Sequence, residues 1–197
     1  GKPLQREMLA SLPDDETVRA VARQLAAFLY ALHHLPTGEF APILLPLPAP
    51  QVAMGKLYER ARTALFAAMP ADERSALEAR FAEHLDDPRR LAYTPAVVHG
   101  AFEPANILYD AQARAIGGII GFSEAGIGDP AMDLAPLLAA TGYGEDFVRR
   151  FAEDFPELPA LLDRAQFYAT ALDLDRALRA AAGTQANASG LYSTHYQ

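Results

Sequence analysis

Side chains able to take part in chemistry concentrate between residues 97 and 135. They include a histidine, an amide and a pair of carboxylates four residues apart: His99, Asn106, Asp129 and Asp133. Such groups move protons, orient hydroxyl groups and bind hard cations. Function is therefore expected in this stretch.

Other ionisable residues have more ordinary explanations. Glu103 and Glu124 lie within the same stretch and can recruit a metal or act as substitute bases, but a solvated glutamate is the commoner explanation of both. His33-His34 fits a helix end, where histidine complements the helix dipole. A metal site there would need ligands that the spacing does not identify.

Composition excludes several classes of function. The 197 residues include 25 acidic and 17 basic side chains, and the formal charge of −8 repels nucleic acids and anionic membranes. There is no cysteine nucleophile or thiolate metal site, no Gly-x-Ser-x-Gly and no His-Glu-x-x-His. No apolar run approaches the roughly 20 residues that span a bilayer. A soluble, cytoplasmic protein without nucleic-acid or membrane partners is expected.

Helices are predicted on both sides of this stretch. Apolar residues recur every three or four positions from Val18 to Leu32, which predicts a helix over 14–34 entered through Asp14 or Asp15. The proline-rich segment 35–50 predicts an extended connector. The same reasoning predicts further helices over 50–69, 71–85, 131–140, 144–154 and 157–182.

A short β element interrupts the helices. Residues 96–99 contain two adjacent β-branched valines, and residues 106–109 and 115–120 flank a turn-like segment, which predicts a small hairpin. The fold class is therefore α+β and mainly helical, with one domain over 1–182 and a polar tail over 183–197. The hairpin supplies a fixed platform for the loops beside it.

Three ordered blocks resemble the aminoglycoside phosphotransferase and choline-kinase-like family: His99–Leu108, Ile120–Phe122 and Gly128–Ala135. Gly1–Leu4 and Leu29–His33 also look like the segments that follow the inter-lobe hinge of that family. The resemblance implies a protein-kinase-like C-terminal lobe with a central β-hairpin. It also implies a chain that begins after the hinge, without the ATP-holding N-terminal lobe.

The resemblance further implies which residues should transfer phosphate from ATP. In this family an aspartate directly after His-Gly positions the attacking hydroxyl, while an asparagine five residues later and an aspartate ending the hairpin hold Mg²⁺. Those positions are Ala101, Asn106 and Gly121 in this chain. Neither Ala101 nor Gly121 has a carboxylate, so no catalytic residue set is intact and no kinase activity, ATP or Mg²⁺ is expected.

Supporting roles are implied in the same way. His99 and Asp133 would brace the loop, with Asp133 accepting backbone N–H bonds, and Asp129 belongs to the same block. Leu108 and Ile120 would face the adenine, although they fit equally well as core residues of the hairpin.

Acids on the last helix are candidates for ligand binding. Asp163, Asp173 and Asp175 lie where the family gathers acids around a cationic acceptor, although a charged, solvated helix face is the commoner explanation. His84 and His195 are expected at the surface.

The expected function is a ligand-binding or pseudo-kinase module that holds a small cationic or polyhydroxyl ligand. The sequence leaves open an engineered or truncated fragment of an active phosphotransferase, and an enzyme of changed chemistry, such as a hydrolase. The face left by a missing N-terminal lobe predicts a homodimer or a covering partner.

Overall fold

The computed structural model describes residues 1–182, so the predicted tail 183–197, with His195, lies outside the described residues. Eight α-helices are present among the described residues: α1 (Arg6–Ala10), α2 (Asp15–His33), α3 (Thr37–Phe40), α4 (Pro50–Ala64), α5 (Ala71–Leu85), α6 (Ala131–Leu138), α7 (Glu145–Arg149) and α8 (Leu158–Ala181). They surround five short strands: β1 (Lys2–Pro3), β2 (Ala96–Val98), β3 (Ile107–Asp110), β4 (Ala115–Ile119) and β5 (Gly126–Gly128).

Helix α2 confirms the helix predicted from the apolar period. The Asp14 carboxylate accepts the backbone N–H of Thr17 at 2.7 Å, which satisfies one of the free donors at the helix start. One stripe of the helix is fully buried, including Val21, Leu25 and Leu29. Burial of this stripe anchors α2 in the core.

The predicted hairpin is confirmed as β3 and β4, and it belongs to a larger sheet. Strand β1 pairs antiparallel with β3, with Lys2 opposite Tyr109, so the strand order is β1-β3-β4. The Asp110 carboxylate accepts the N–H groups of Gln112 and Ala113, which fixes the turn between β3 and β4. A second antiparallel pair joins β2 to β5.

The connector and two helices differ from their predictions. Segment 35–50 contains α3, and its later part is held against β5, where the Leu47 N–H donates to the Ile127 carbonyl at 2.8 Å. Helix α4 ends at Ala64 instead of residue 69, and the helix predicted over 144–154 divides into α7 and a 3₁₀ segment over Arg150–Glu153. Tertiary contacts override local periodicity at these ends.

His84 was expected at the surface, and that expectation is wrong. Its ring is fully buried and stacks on Phe167 with 4.2 Å between centroids. Its two nitrogens lie 3.1 Å from the Arg80 carbonyl and 3.2 Å from an Asp163 oxygen. The polar ends of the ring are therefore satisfied while its face packs.

Helices α6 and α8 pack along each other and form much of the core. Fully buried members include Leu134 and Leu137 on α6, and Phe167 and Ala171 on α8. Within residues 1–182, no helix combines the length and apolar character that crossing a bilayer requires. The core supports β2 and the loop that follows it.

Candidate functional site

His99 holds the start of the loop between β2 and β3. Its Nε2 lies 3.0 Å from the Ile120 carbonyl, and its Nδ1 accepts the Ala101 N–H at 3.2 Å. This pattern fits a neutral ring protonated at Nε2. Burial lowers the pKa of His99, only partly opposed by the charge of Asp133. Both nitrogens are engaged in support of the loop, and neither is free to act as a base.

Asp133, at the start of α6, binds the backbone of the same loop. Its carboxylate is fully buried and accepts the backbone N–H groups of His99 and Gly100, each at 2.9 Å. The ring of His33, at the end of α2, lies 2.9 Å from the same carboxylate. Three donors therefore converge on one buried acid and tie the loop to two helices.

Gly100 permits a close approach between two loops. Its φ of +78° is a left-handed conformation, and a Cβ there would lie 2.0 Å from the carbonyl oxygen of Glu124. Only glycine fits both the backbone angle and the space.

The two positions without carboxylates lie on either side of Asn106. Its side-chain Nδ2 donates to the Ala101 carbonyl at 2.9 Å. A Cβ placed on Gly121, which has φ +85°, would lie 2.8 Å from the Asn106 amide atoms. Ala101, Asn106 and Gly121 therefore form one cluster, in which Asn106 has the single functional side chain.

The Asp129 carboxylate is paired with an arginine inside the protein. Two of its contacts come from the Arg164 guanidinium, at 2.8 and 3.2 Å, and the Tyr168 hydroxyl donates at 2.9 Å. The Ala131 N–H adds a fourth contact at 3.0 Å. This paired, fully buried carboxylate joins the start of α6 to α8.

The two glutamates near the loop have different surroundings. Burial raises the pKa of Glu103 above its ordinary value, although Arg176 opposes the shift. Glu124 is half-buried, and its backbone carbonyl packs against Gly100. A glutamate that resists ionisation is a weaker ligand for a hard cation.

The acids of α8 already have partners within the protein. Asp173 accepts the Ala140 N–H and binds Arg176, with Nη1 at 2.9 Å. Asp175 is buried, with Arg179 Nε at 2.6 Å and a longer 3.8 Å contact to Arg60.

Asp163 faces a different group of cations. It binds Arg80, His84 and Arg90, each at 3.2 Å. A cationic ligand at any of the three α8 acids has to compete with these partners.

Leu108 and Ile120 lie on neighbouring parts of the hairpin. Leu108 is half-buried opposite Gly118, while Ile120 follows β4 and is 48% exposed. Phe122 is equally exposed, which leaves an apolar surface at the end of the hairpin.

The residues of the loop do not fit a magnesium nucleotide. Mg²⁺ favours charged oxygen ligands in octahedral geometry, and the cluster offers a single neutral side-chain oxygen, Oδ1 of Asn106. Nowhere in residues 1–182 do three or more His, Cys, Asp or Glu side chains come together as a possible metal site.

Sequence reasoning missed the part played by His33 and Arg164. Their partners lie 100 and 35 residues away along the chain, at Asp133 and Asp129. One signal in the sequence could have indicated the role of His33. It stands four residues after the buried Leu29, so both residues lie on the same, inward face of the helix.

A helical core, a braced loop after β2 and the adjoining hairpin form a mainly helical α+β fold of the kinase-like class. Within that class, the chain belongs to the phosphotransferase enzyme family (APH), whose model matches residues 1–182. The resemblance to aminoglycoside phosphotransferases is thereby confirmed.

Individual relatives agree with the family. Viomycin phosphotransferase from Streptomyces vinaceus is 35% identical over 153 residues, covering 76% of this chain and 50% of the relative. The GDP and kanamycin complex of APH(2")-IIia is 28% identical, with a TM-score of 0.77 over 91% of this chain and 62% of that one. The GDP complex of wild-type aminoglycoside 2'-phosphotransferase-IIIa is 25% identical, with a TM-score of 0.80 over 96% and 64%. The chain thus spans about half the length of the curated relative that it matches.

Proposed function

We propose that this lobe binds a small polyhydroxyl or cationic ligand and is impaired in phosphate transfer from ATP. The observation that carries the proposal is the cluster of Ala101, Asn106 and Gly121. At two of its three positions no side-chain oxygen is available.

Loss of these oxygens affects two separate requirements of phosphoryl transfer. A methyl group at Ala101 cannot orient a hydroxyl or accept its proton, and Gly121 offers nothing to a metal. Stabilisation of the transferring group by charge usually supplies the largest part of the rate.

Ligand binding has support from the groups around the loop. Glu103 and the Asp173–Arg176 pair belong to one electrostatic neighbourhood, since Arg176 acts on the pKa of Glu103. An ionised carboxylate is negatively charged and only accepts hydrogen bonds, so it attracts the N–H groups of a protonated amine. A kanamycin complex among the similar structures makes an aminoglycoside the first ligand to test.

Thermal unfolding tests the binding part of the proposal. A ligand at about 100 times its Kd stabilises the folded state by about 2.7 kcal/mol. For a domain of this size each kcal/mol raises Tm by about 2–4 °C, so kanamycin or viomycin should raise Tm by about 5–11 °C. Asp173→Asn should reduce the shift, while the exposed Asp146→Asn should leave it unchanged. Failure of every aminoglycoside and macrolide tested to move Tm would refute the binding function.

A homodimer, or a partner lobe over the hairpin, is part of the same proposal. Ile120 and Phe122 are each 48% exposed, and adjoining apolar side chains of this size favour association. Sedimentation velocity of the chain and of Phe122→Ser should show a concentration-dependent dimer that the substitution weakens. A monomer at all concentrations would contradict self-association.

A further inference from the structure

A cavity of about 700 Å³ lies away from the loop, between the end of α2, residues 92–96 and the start of α8. We call it the His33 pocket; it is bordered by His33, Tyr93, Phe155, Glu157, Ala160 and Arg164. Small-molecule sites commonly have volumes of roughly 300–1,000 Å³. None of residues 99–106 or 120–124 contributes to its wall.

His33 brings an unpaired acceptor to this pocket. Its side chain is 4% exposed, and its Nε2 lies 2.9 Å from Asp133. A carboxylate only accepts, so in the neutral ring the proton resides on Nε2 and Nδ1 is left with a lone pair. Nδ1 is buried and has no hydrogen-bond partner in the described part of the chain. A buried acceptor without a donor is costly, and a donor supplied by a ligand would relieve that cost.

Glu157, whose side chain is 42% exposed, supplies a second acceptor. Its Oε1 lies 3.2 Å from His34 Nε2, whereas its Oε2 is buried without a partner among residues 1–182. Two unpaired acceptors at one pocket, one of them on a carboxylate, favour a ligand that brings several N–H donors and a positive charge.

The remaining walls favour an apolar body behind that charge. Exposed Pro95 and half-buried Tyr93 line the accessible wall in front of the buried Phe155 and Leu161, and an aromatic ring attracts a cation. Arg164 does not present a free positive charge, because its guanidinium is bound to Asp129 at 2.8 and 3.2 Å. Burial raises the pKa of Tyr93, which keeps its phenol neutral.

We propose that the His33 pocket binds a small protonated amine carried on an apolar body. The ammonium group donates to Glu157 Oε2 and His33 Nδ1, while the body packs against Tyr93 and Pro95. This site is separate from the loop cluster, and the inference does not depend on the loss of phosphate transfer.

Three probes of one shape test the chemistry of the pocket. Benzylamine, benzyl alcohol and benzoate share an aromatic body and differ in charge. In ¹H–¹⁵N NMR titrations, benzylamine should give saturable shifts at the residues of the pocket and bind at least tenfold more tightly than benzyl alcohol. Shifts confined to other residues, no saturation, or equal or tighter binding of benzoate would overturn the proposal.

Matched variants test the location. Glu157→Gln keeps the size of the side chain and removes its charge, and should weaken benzylamine about tenfold. Ala160→Trp fills the pocket from an exposed helix position and should abolish binding. Glu153→Gln, exposed and outside the pocket, is the control and should bind like the parent chain. Undiminished binding by Glu157→Gln would refute the assignment even if Ala160→Trp failed to fold.

Discussion

Replacement of Asp133 by asparagine gives the sharpest prediction of stability. The carboxylate accepts the N–H groups of His99 and Gly100 and contacts His33, all at 2.9 Å and in full burial. An amide has one acceptor oxygen, so in either orientation at least one buried N–H loses its acceptor and faces another donor.

The magnitude follows from those contacts. A hydrogen bond to a charged group contributes about 1.5–3 kcal/mol, and an unsatisfied buried donor costs about 1–3 kcal/mol. Asp133→Asn should therefore lower the free energy of unfolding by about 3 kcal/mol or more. At about 2–4 °C per kcal/mol, Tm should fall by at least about 6 °C.

Urea unfolding followed by circular dichroism measures the loss directly. Asp146→Asn is the matched control, since Asp146 is exposed in the first turn of α7 and should cost less than about 1 kcal/mol. Equal losses in the two variants would refute the view that Asp133 braces the loop.

Three further outcomes follow from the same loop. Gly100→Ala should lower stability by about 3 kcal/mol or more in urea unfolding, because its Cβ would meet the Glu124 carbonyl; a loss below about 1 kcal/mol would contradict the close approach. Burial raises the pKa of Glu103, so its ionised form opposes folding: Glu103→Gln should stabilise the protein at pH 7 by up to about 1 kcal/mol, and the gain should vanish as the pH falls below about 4.5. An equal gain at both pH values would exclude this cause. Burial lowers the pKa of His99, so stability from the neutral ring is present above its ordinary pKa and is lost as the pH falls through the lowered value. NMR titration of the His99 ring should give a midpoint below 6.5; a midpoint above it would show that burial does not control the pKa of this ring.

Elements with a strong local signal were predictable from the sequence. The start of α2 follows from Asp14, an N-cap residue ahead of an apolar stripe, and α5 matches its predicted bounds of 71–85. The hairpin follows from two β-rich runs around Asp110.

Elements that depend on distant partners were not predictable. Strand β1 has two residues, one of them Pro3, and exists because it pairs with β3 more than 100 positions away. Strand β5 is glycine-rich and has no β-branched pattern, yet Gly126 and Gly128 leave room for Leu47. His84 resembles a surface residue until Phe167 is placed beside it. In each case long-range packing decides the structure.

The candidate site was likewise only partly predictable from the sequence. Motif residues placed Ala101, Asn106 and Gly121 in order, whereas their mutual distances required the fold. The His33 pocket could not be predicted from the sequence, because its walls come from four separate segments of the chain.

Phosphate transfer from radiolabelled ATP tests the central claim most directly. Purified chain, kanamycin or viomycin and Mg²⁺ should give no labelled product above a control without protein, while viomycin phosphotransferase of Streptomyces vinaceus acts as the positive control. Alanine and glycine at the two matching positions of that relative should lower its rate at least about 10²–10³-fold, which separates the effect of these residues from that of chain length. Labelled product from this chain that disappears in Asn106→Ala would contradict the account.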